Sequence, residues 1–136
     1  MYDLIILGGG PAGYLAAERA GHAKLSTCLF EMNALGGVCL NEGCIPSKAL
    51  LNSAKIYEHA RDGAKYGVSA ENVTLDQKAV VARRGKVVRM LVSGVGAKMK
   101  GAGVTVVKEK AVIKGRVEGG FAVTAGGQDY EAAKLL

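Results

Sequence analysis

The sequence predicts an α/β fold: a parallel sheet with a helical insertion and a small antiparallel β-meander. Three observations predict it. A short apolar run over residues 2–7 leads directly into the glycine-rich stretch Gly8–Gly13. A second apolar run, Thr27 to Phe30, ends on an acid, Glu31. Beyond Gly101 the spacing of apolar residues changes from helical to short runs punctuated by Gly-Gly pairs.

The first run, Tyr2 to Leu7, reads as a buried parallel strand. It opens into Gly8-Gly9-Gly10-Pro11-Ala12-Gly13, which fits G-x-G-x-x-G at Gly8, Gly10 and Gly13. Gly8 permits a tight turn, Gly10 lets the backbone approach a pyrophosphate, and Gly13 lets the next helix pack closely on the strand. Pro11 suits the first turn of that helix, where its missing N–H costs nothing. The helix is expected to run to about Ala20. Its N-terminal amides, at Ala12 and Gly13, and its dipole would hold phosphates. Glu31 falls 18 residues after Gly13, near the spacing of a carboxylate that binds ribose hydroxyls. Such an acid favours a free 2′-hydroxyl, as in the adenosine of FAD or NAD, over a 2′-phosphate. A lone glycine fingerprint is weak evidence, but here strand, helix and acid all stand in place around it.

Downstream lies Gly36-Gly37-Val38-Cys39-Leu40-Asn41-Glu42-Gly43-Cys44-Ile45-Pro46-Ser47-Lys48. On a regular helix, Cys39 and Cys44 would be separated by a rise of about 7.5 Å. Disulfide Cα atoms sit about 4.4–6.8 Å apart, so the segment must be distorted, and Gly43 supplies the freedom. Pro46 fits the first turn of a helix from about Ile45 to Arg61. Cys44 then stands at a helix N-terminus, where the dipole favours a thiolate. A strained six-residue disulfide ring is of the labile kind that cycles. Beside a dinucleotide, such a pair points to electron transfer between a disulfide and a flavin or nicotinamide ring. The alternatives are two buried thiols or half of a metal site. For metal, the close-set second pair is missing and His22 and His59 stand alone. Cys28, in the second strand, reads as a small buried residue.

Leu75, Ala79, Val87, Leu91 and Val95 recur at roughly helical spacing, predicting a helix from about Leu75 to Lys100. Gly85, Gly94 and Gly96 weaken it and allow a kink or an early end. Strands follow at Val104 to Val107 and on towards Ile113, at Phe121 to Thr124, and at Tyr130 to Leu136. Gly119-Gly120 and Gly126-Gly127 are turn signals, and together these strands suggest an antiparallel meander.

The 136 residues, 49% of them apolar, are enough for one domain with a core. No apolar stretch is long enough to span a membrane. The first strand begins at Tyr2, leaving no room for a signal or transit peptide, so the cytoplasm is the expected compartment. The net charge of +6 is concentrated in Arg83, Arg84, Lys86 and Arg89, and in Lys108, Lys110, Lys114 and Arg116. No aromatic residues interleave these clusters as stacking platforms, so a solvated basic face is expected rather than a nucleic-acid partner.

Gly36 to Lys48 resembles the redox-active segment of the class I pyridine nucleotide–disulfide oxidoreductases. The wording Cys-Leu-Asn and Gly-Cys-Ile-Pro-Ser-Lys is most similar to the dihydrolipoamide dehydrogenase branch; glutathione-type reductases more often carry Cys-Val-Asn and Val-Pro-Lys-Lys. The similarity spans the whole chain, and it implies a Rossmann-like FAD-binding domain. FAD would be bound here and NAD on a domain missing from this chain. Cys39 would be the interchange thiol that meets the lipoyl sulfur, and Cys44 the thiol beside the flavin. Lys48 would lie near the reactive edge of the ring. Glu31, Met32, Gly36, Gly37, Val38 and Cys39 would line the FAD from ribose to ring. Ala111 falls where the family usually has a glycine whose backbone meets the adenine.

Two departures accompany the resemblance. Val38 stands where threonine is common, and Glu42 where an apolar residue is usual. A carboxylate beside the thiols would raise their pKa values; Glu42 is expected to point to solvent and to have little effect. The resemblance further implies that residues 1–136 are the N-terminal portion of the FAD domain. The NAD, central and dimerisation domains, and the histidine–glutamate acid/base pair, would then be absent. The full-length protein would be a homodimer serving lipoyl-bearing proteins of a 2-oxo acid dehydrogenase or glycine cleavage system, and this stretch alone would not turn over. The alternatives are another disulfide reductase, of mercuric or glutathione type, or a non-catalytic FAD-binding or thiol redox-sensing module.

Overall fold

In the computed structural model, which describes residues 1–136, the apolar runs at the N-terminus become the centre of the sheet. They form β1 (Tyr2–Leu7) and β2 (Thr27–Phe30), joined by α1 (Pro11–His22). A helical insertion follows: α2 (Gly37–Asn41), α3 (Cys44–Arg61), a short 3-10 turn over Gly63–Tyr66, and α4 (Gln77–Gly101). The chain then returns to the sheet as β3 (Thr105–Val107), β4 (Ala111–Val117), β5 (Gly120–Ala125) and β6 (Gln128–Leu135). All six strands share one sheet in the order β3-β2-β1-β6-β5-β4.

β1 pairs in parallel with β2, Ile5 opposite Cys28, and with β6, Ile5 opposite Leu135. Period-2 alternation sends neighbouring side chains to opposite faces and so makes two cores. Ile6 and Leu29 face α1 and α4, meeting Ala17, Val95, Met99 and Ala102. Ile5, Cys28 and Phe30 join Val123, Ala125 and Ala132 of the meander in the second core. The Phe30 and Tyr130 rings close that core edge to face, their centroids 5.0 Å apart. With both faces covered, β2 is buried along its whole length.

The helix expected from about Leu75 to Lys100 is present, and its glycines do not interrupt it: α4 is continuous from the Asp76 cap, whose carboxylate accepts the Ala79 N–H at 3.0 Å, to Gly101. Val95 and Met99, four residues apart, are both buried on the sheet, and this packing outweighs the weak propensity of Gly94 and Gly96. One expectation changes, at Val104–Val107, which the sequence grouped with the meander. β3 instead pairs in parallel with β2, Leu29 opposite Val106. The insertion is a long helical crossover that returns the chain to the far edge of β2, and such a crossover delivers a parallel strand. Only the β4–β5 and β5–β6 pairs are antiparallel, as a meander, with Gly126 and Gly127 (φ 57° and 77°) forming its second turn.

Met99 is fully buried between α4 and the sheet. Met99→Ala is expected to lower the unfolding free energy by about 2–5 kcal/mol, read from the shift of a urea denaturation midpoint.

Candidate functional site

The site begins where β1 ends. The Gly8 N–H donates to Phe30 O at 2.8 Å, tying the turn to β2, and Gly8 takes φ +108°, which favours glycine. A Cβ on Gly13 would collide with the Gly8 carbonyl oxygen, whereas one on Gly10 would meet nothing within 4 Å. Gly13 therefore allows the helix to close on the strand, and Gly10 keeps the mouth of the loop open. Pro11 is the first residue of α1, and the amides of Ala12 and Gly13 are first-turn donors with no intrahelical acceptor. Gly8, Gly10, Pro11, Ala12 and Gly13 line a cleft of about 340 Å³, which Leu136 closes on one side. Free amides at the positive end of a helix, with open space before them, fit the pyrophosphate of a dinucleotide.

Glu31, one residue past β2, bridges two backbones. Its Oε2 accepts the Gly9 N–H and its Oε1 the Asn33 N–H, both at 2.7 Å. Each carboxylate oxygen retains a second lone pair, so the acid can still accept ribose hydroxyls. Beside it lies a cleft of about 240 Å³ lined by Gly8, Glu31, Met32 and Ala111, together with Glu109 and Lys110. The structure thus brings Ala111, remote in sequence, to the end of the site that holds Glu31. Glu109 and Lys110 were missed by the sequence reading; their one signal was a charged pair immediately before Ala111.

The cysteine segment docks on the glycine loop through close backbone contacts. The Gly36 N–H donates to Gly9 O at 2.8 Å, and a Cβ on Gly37 would lie 2.9 Å from Gly10 Cα. Gly36 and Gly37 have φ of 96° and 60° and turn the chain into α2. Cys39 lies in α2, which ends at Asn41. Glu42 and Gly43 then break the helix, and Cys44 begins α3. The Glu42 and Gly43 amides both donate to Val38 O, and a Cβ on Gly43 would come within 3.1 Å of that oxygen. The predicted distortion is therefore a helix break, and Gly43 serves it by close approach.

All three cysteines are free thiols. Cys39 is half-buried and Cys44 exposed at the start of α3, with Val38 and Lys48 exposed around them. The Cys39 thiol is pushed up, first by its hydrogen bond with Cys44 and then by desolvation, while the charge of Lys48 pulls it down. Lys48, one turn into α3, thus acts electrostatically on Cys39. Glu42 is exposed, as expected, and is not among the groups that shift Cys39. Cys28 is buried in the second core, and burial pushes its thiol up to about 11. No three His, Cys, Asp or Glu side chains group as metal ligands. Sequence reasoning also missed Asn41, whose side-chain amide binds two carbonyls at the entry to α2.

A family model described as pyridine nucleotide-disulphide oxidoreductase matches residues 2–136. The chain belongs to that family. Among relatives, dihydrolipoyl dehydrogenase of Mycoplasma pneumoniae is 53% identical over 97 residues, 71% of this chain and 21% of the relative. Dihydrolipoyl dehydrogenase of Mycoplasma genitalium is 47% identical over 113 residues, 82% of this chain and 25% of the relative. The chain therefore spans about a fifth to a quarter of the length of these curated relatives. The crystal structure of LpdA from Mycobacterium tuberculosis superposes with a TM-score of 0.85 at 22% identity, covering 97% of this chain and 30% of that one. That likeness establishes the shared fold, parallel sheet and meander together. In this member of the family, Gly36 and Gly37, just before the cysteine pair, are in backbone contact with Gly9 and Gly10 of the glycine loop.

Two predictions follow from these environments. In the reduced native chain, Ellman's reagent should titrate two thiols promptly and the third, Cys28, only after denaturant is added. Lys48→Gln removes the charge that favours the Cys39 thiolate, so Cys39 alkylation at mildly alkaline pH should slow. Cys44→Ala removes the groups that raise it, so alkylation should quicken. Mass-spectrometric labelling with iodoacetamide reads both.

Proposed function

We propose that residues 1–136 form the N-terminal portion of the FAD-binding domain of a dihydrolipoyl dehydrogenase. The observation that carries this reading is a thiol pair at a helix break, docked by its glycines onto a dinucleotide fingerprint. Relatives of that name, at 47–53% identity over most of this chain, support it. On this reading Gly8, Gly10, Pro11, Ala12 and Gly13 hold the pyrophosphate of FAD and Glu31 holds the ribose. Met32 and Ala111 flank the adenosine end. Gly36, Gly37 and Val38 lead towards the flavin ring, which Cys39, Cys44 and Lys48 adjoin. When bound, FAD supplies two-electron exchange between the thiol pair and a nicotinamide nucleotide. NAD would be held by a domain outside these residues.

The part played by the chain's own residues is thiol–disulfide exchange. A thiolate of the dihydrolipoyl group attacks Cys39 of the Cys39–Cys44 disulfide, and Cys44, at the positive end of α3, leaves as the thiolate. The second lipoyl thiol, deprotonated, attacks the lipoyl sulfur of the mixed disulfide and releases Cys39. The lipoyl group ends as its own disulfide, and two electrons have passed to the cysteine pair; of the two protons the lipoyl thiols gave up, one returns to Cys39 and the other goes to solvent while Cys44 stays a thiolate. The partners would be lipoyl-bearing proteins of a 2-oxo acid dehydrogenase or glycine cleavage system, with the full-length protein a cytoplasmic homodimer. No helix is long and apolar enough to cross a membrane.

The test is anaerobic two-electron reduction of the FAD-reconstituted chain, followed by visible absorbance. A long-wavelength thiolate–flavin band, lost in Cys44→Ser and retained in Cys39→Ser, is the expected result. Where residues 1–136 alone bind no flavin, or bind it without that band, the same measurement is made on the full-length protein; flavin without the band there, or no flavin there, overturns the reading.

A further inference from the structure

α2 is a single turn of five residues, far below the length at which a helix holds itself. Its N-cap, Gly36, offers no side chain to cap it. Yet this turn carries Cys39 and must present it to Cys44 across the break at Glu42 and Gly43. Asn41 supplies the missing support. Its Nδ2 donates to Gly37 O at 2.9 Å, within the turn, and to Leu35 O at 3.1 Å, before the Gly36 kink. One amide nitrogen with two hydrogens thus satisfies two carbonyls on either side of the left-handed residue. The opposite amide orientation would set its oxygen against both carbonyls, so the chemistry fixes the assignment.

These bonds join the thiol-bearing turn to the part of the loop that is itself fixed on Gly9 and Gly10. Asn41 also lies inside the six-residue ring that a Cys39–Cys44 disulfide would close. We infer that Asn41 is a positioning residue for the redox pair, clamping α2 to the Gly36 kink so that Cys39 is held at Cys44 before the disulfide forms. This rests on the reading that the pair cycles. Without the clamp α2 samples more orientations in the dithiol form, the effective concentration of one thiol at the other falls, and the disulfide becomes harder to form. The half-reaction is unchanged: the disulfide takes two electrons and two protons to become two thiols. Only its poise moves, towards a less negative potential.

The experiment equilibrates the chain, without flavin, in glutathione buffers of graded ratio and quantifies the Cys39–Cys44 disulfide by mass spectrometry. Asn41→Ala is expected to lower the equilibrium constant for disulfide formation about ten-fold, a shift of about 30 mV in a two-electron couple. Asn41→Ser, with a shorter donor, should fall between Asn41→Ala and the parent chain, and it serves if the alanine variant does not fold by circular dichroism. Glu42→Ala, which alters an exposed side chain in the same ring, should leave the equilibrium where it was. If the folded Asn41 variants match the parent chain, the clamp has no redox role and the inference falls. If the parent chain forms no Cys39–Cys44 disulfide in any buffer, the reading beneath it falls as well.

Discussion

The site depends on one backbone-to-backbone contact, that between Gly36–Gly37 and Gly9–Gly10. The two segments belong to different turns of the fold, one leaving β1 and the other leaving β2. They approach until Gly36 N–H reaches Gly9 O and Gly37 has no room for a Cβ over Gly10. Leu35, buried in the helix-side core, backs the contact, with its Cδ2 2.8 Å from where a Cβ on Gly9 would be. A side chain on Gly37 would push the two loops apart. The thiol pair and the glycine fingerprint would then occupy two places instead of one.

From that contact the chemistry of the pair follows by short steps. The helix break at Glu42 and Gly43 folds two turns back on each other, and a shared acceptor, Val38 O, holds the break. One thiol ends up half-buried and the other exposed at a helix start, so the two sulfurs are unequal although they lie five residues apart. Cys28 shares their chemistry but not their surroundings. It belongs to the meander-side core, where burial suppresses the thiolate that any reaction would need.

The parts of this design that are written locally could be read in the sequence. The β1 fingerprint, Pro11 at the first helical position and Gly43 before Cys44 each depend on a few consecutive residues, and each sits in the structure where its chemistry requires. What depends on distant packing could not be read. The integrity of α4 across Gly94 and Gly96 comes from Val95 and Met99 meeting the sheet, which no helical propensity records. The parallel pairing of β3 depends on where a long crossover returns the chain. Glu109 and Lys110 reach the Glu31 cleft only because the turn after β3 passes it. Asn41 was in plain sight within the cysteine motif, but its bonds go to carbonyls, and carbonyls have no signature in a sequence.

The parallel pairing of β1 with β6 sets an order of events during synthesis. Tyr2 lies opposite Ala132, so β1, made well before β6, gains its second neighbour only when β6 follows. Until then β1 presents an unpaired edge and the apolar Ile5 side chain lacks Val123 and Ala132. Non-local strand pairing of this kind is slow, and an open apolar edge is a template for wrong partners. A nascent chain of this sequence therefore carries its glycine loop before it completes the sheet beneath it, and shielding of that edge on the ribosome would govern its yield.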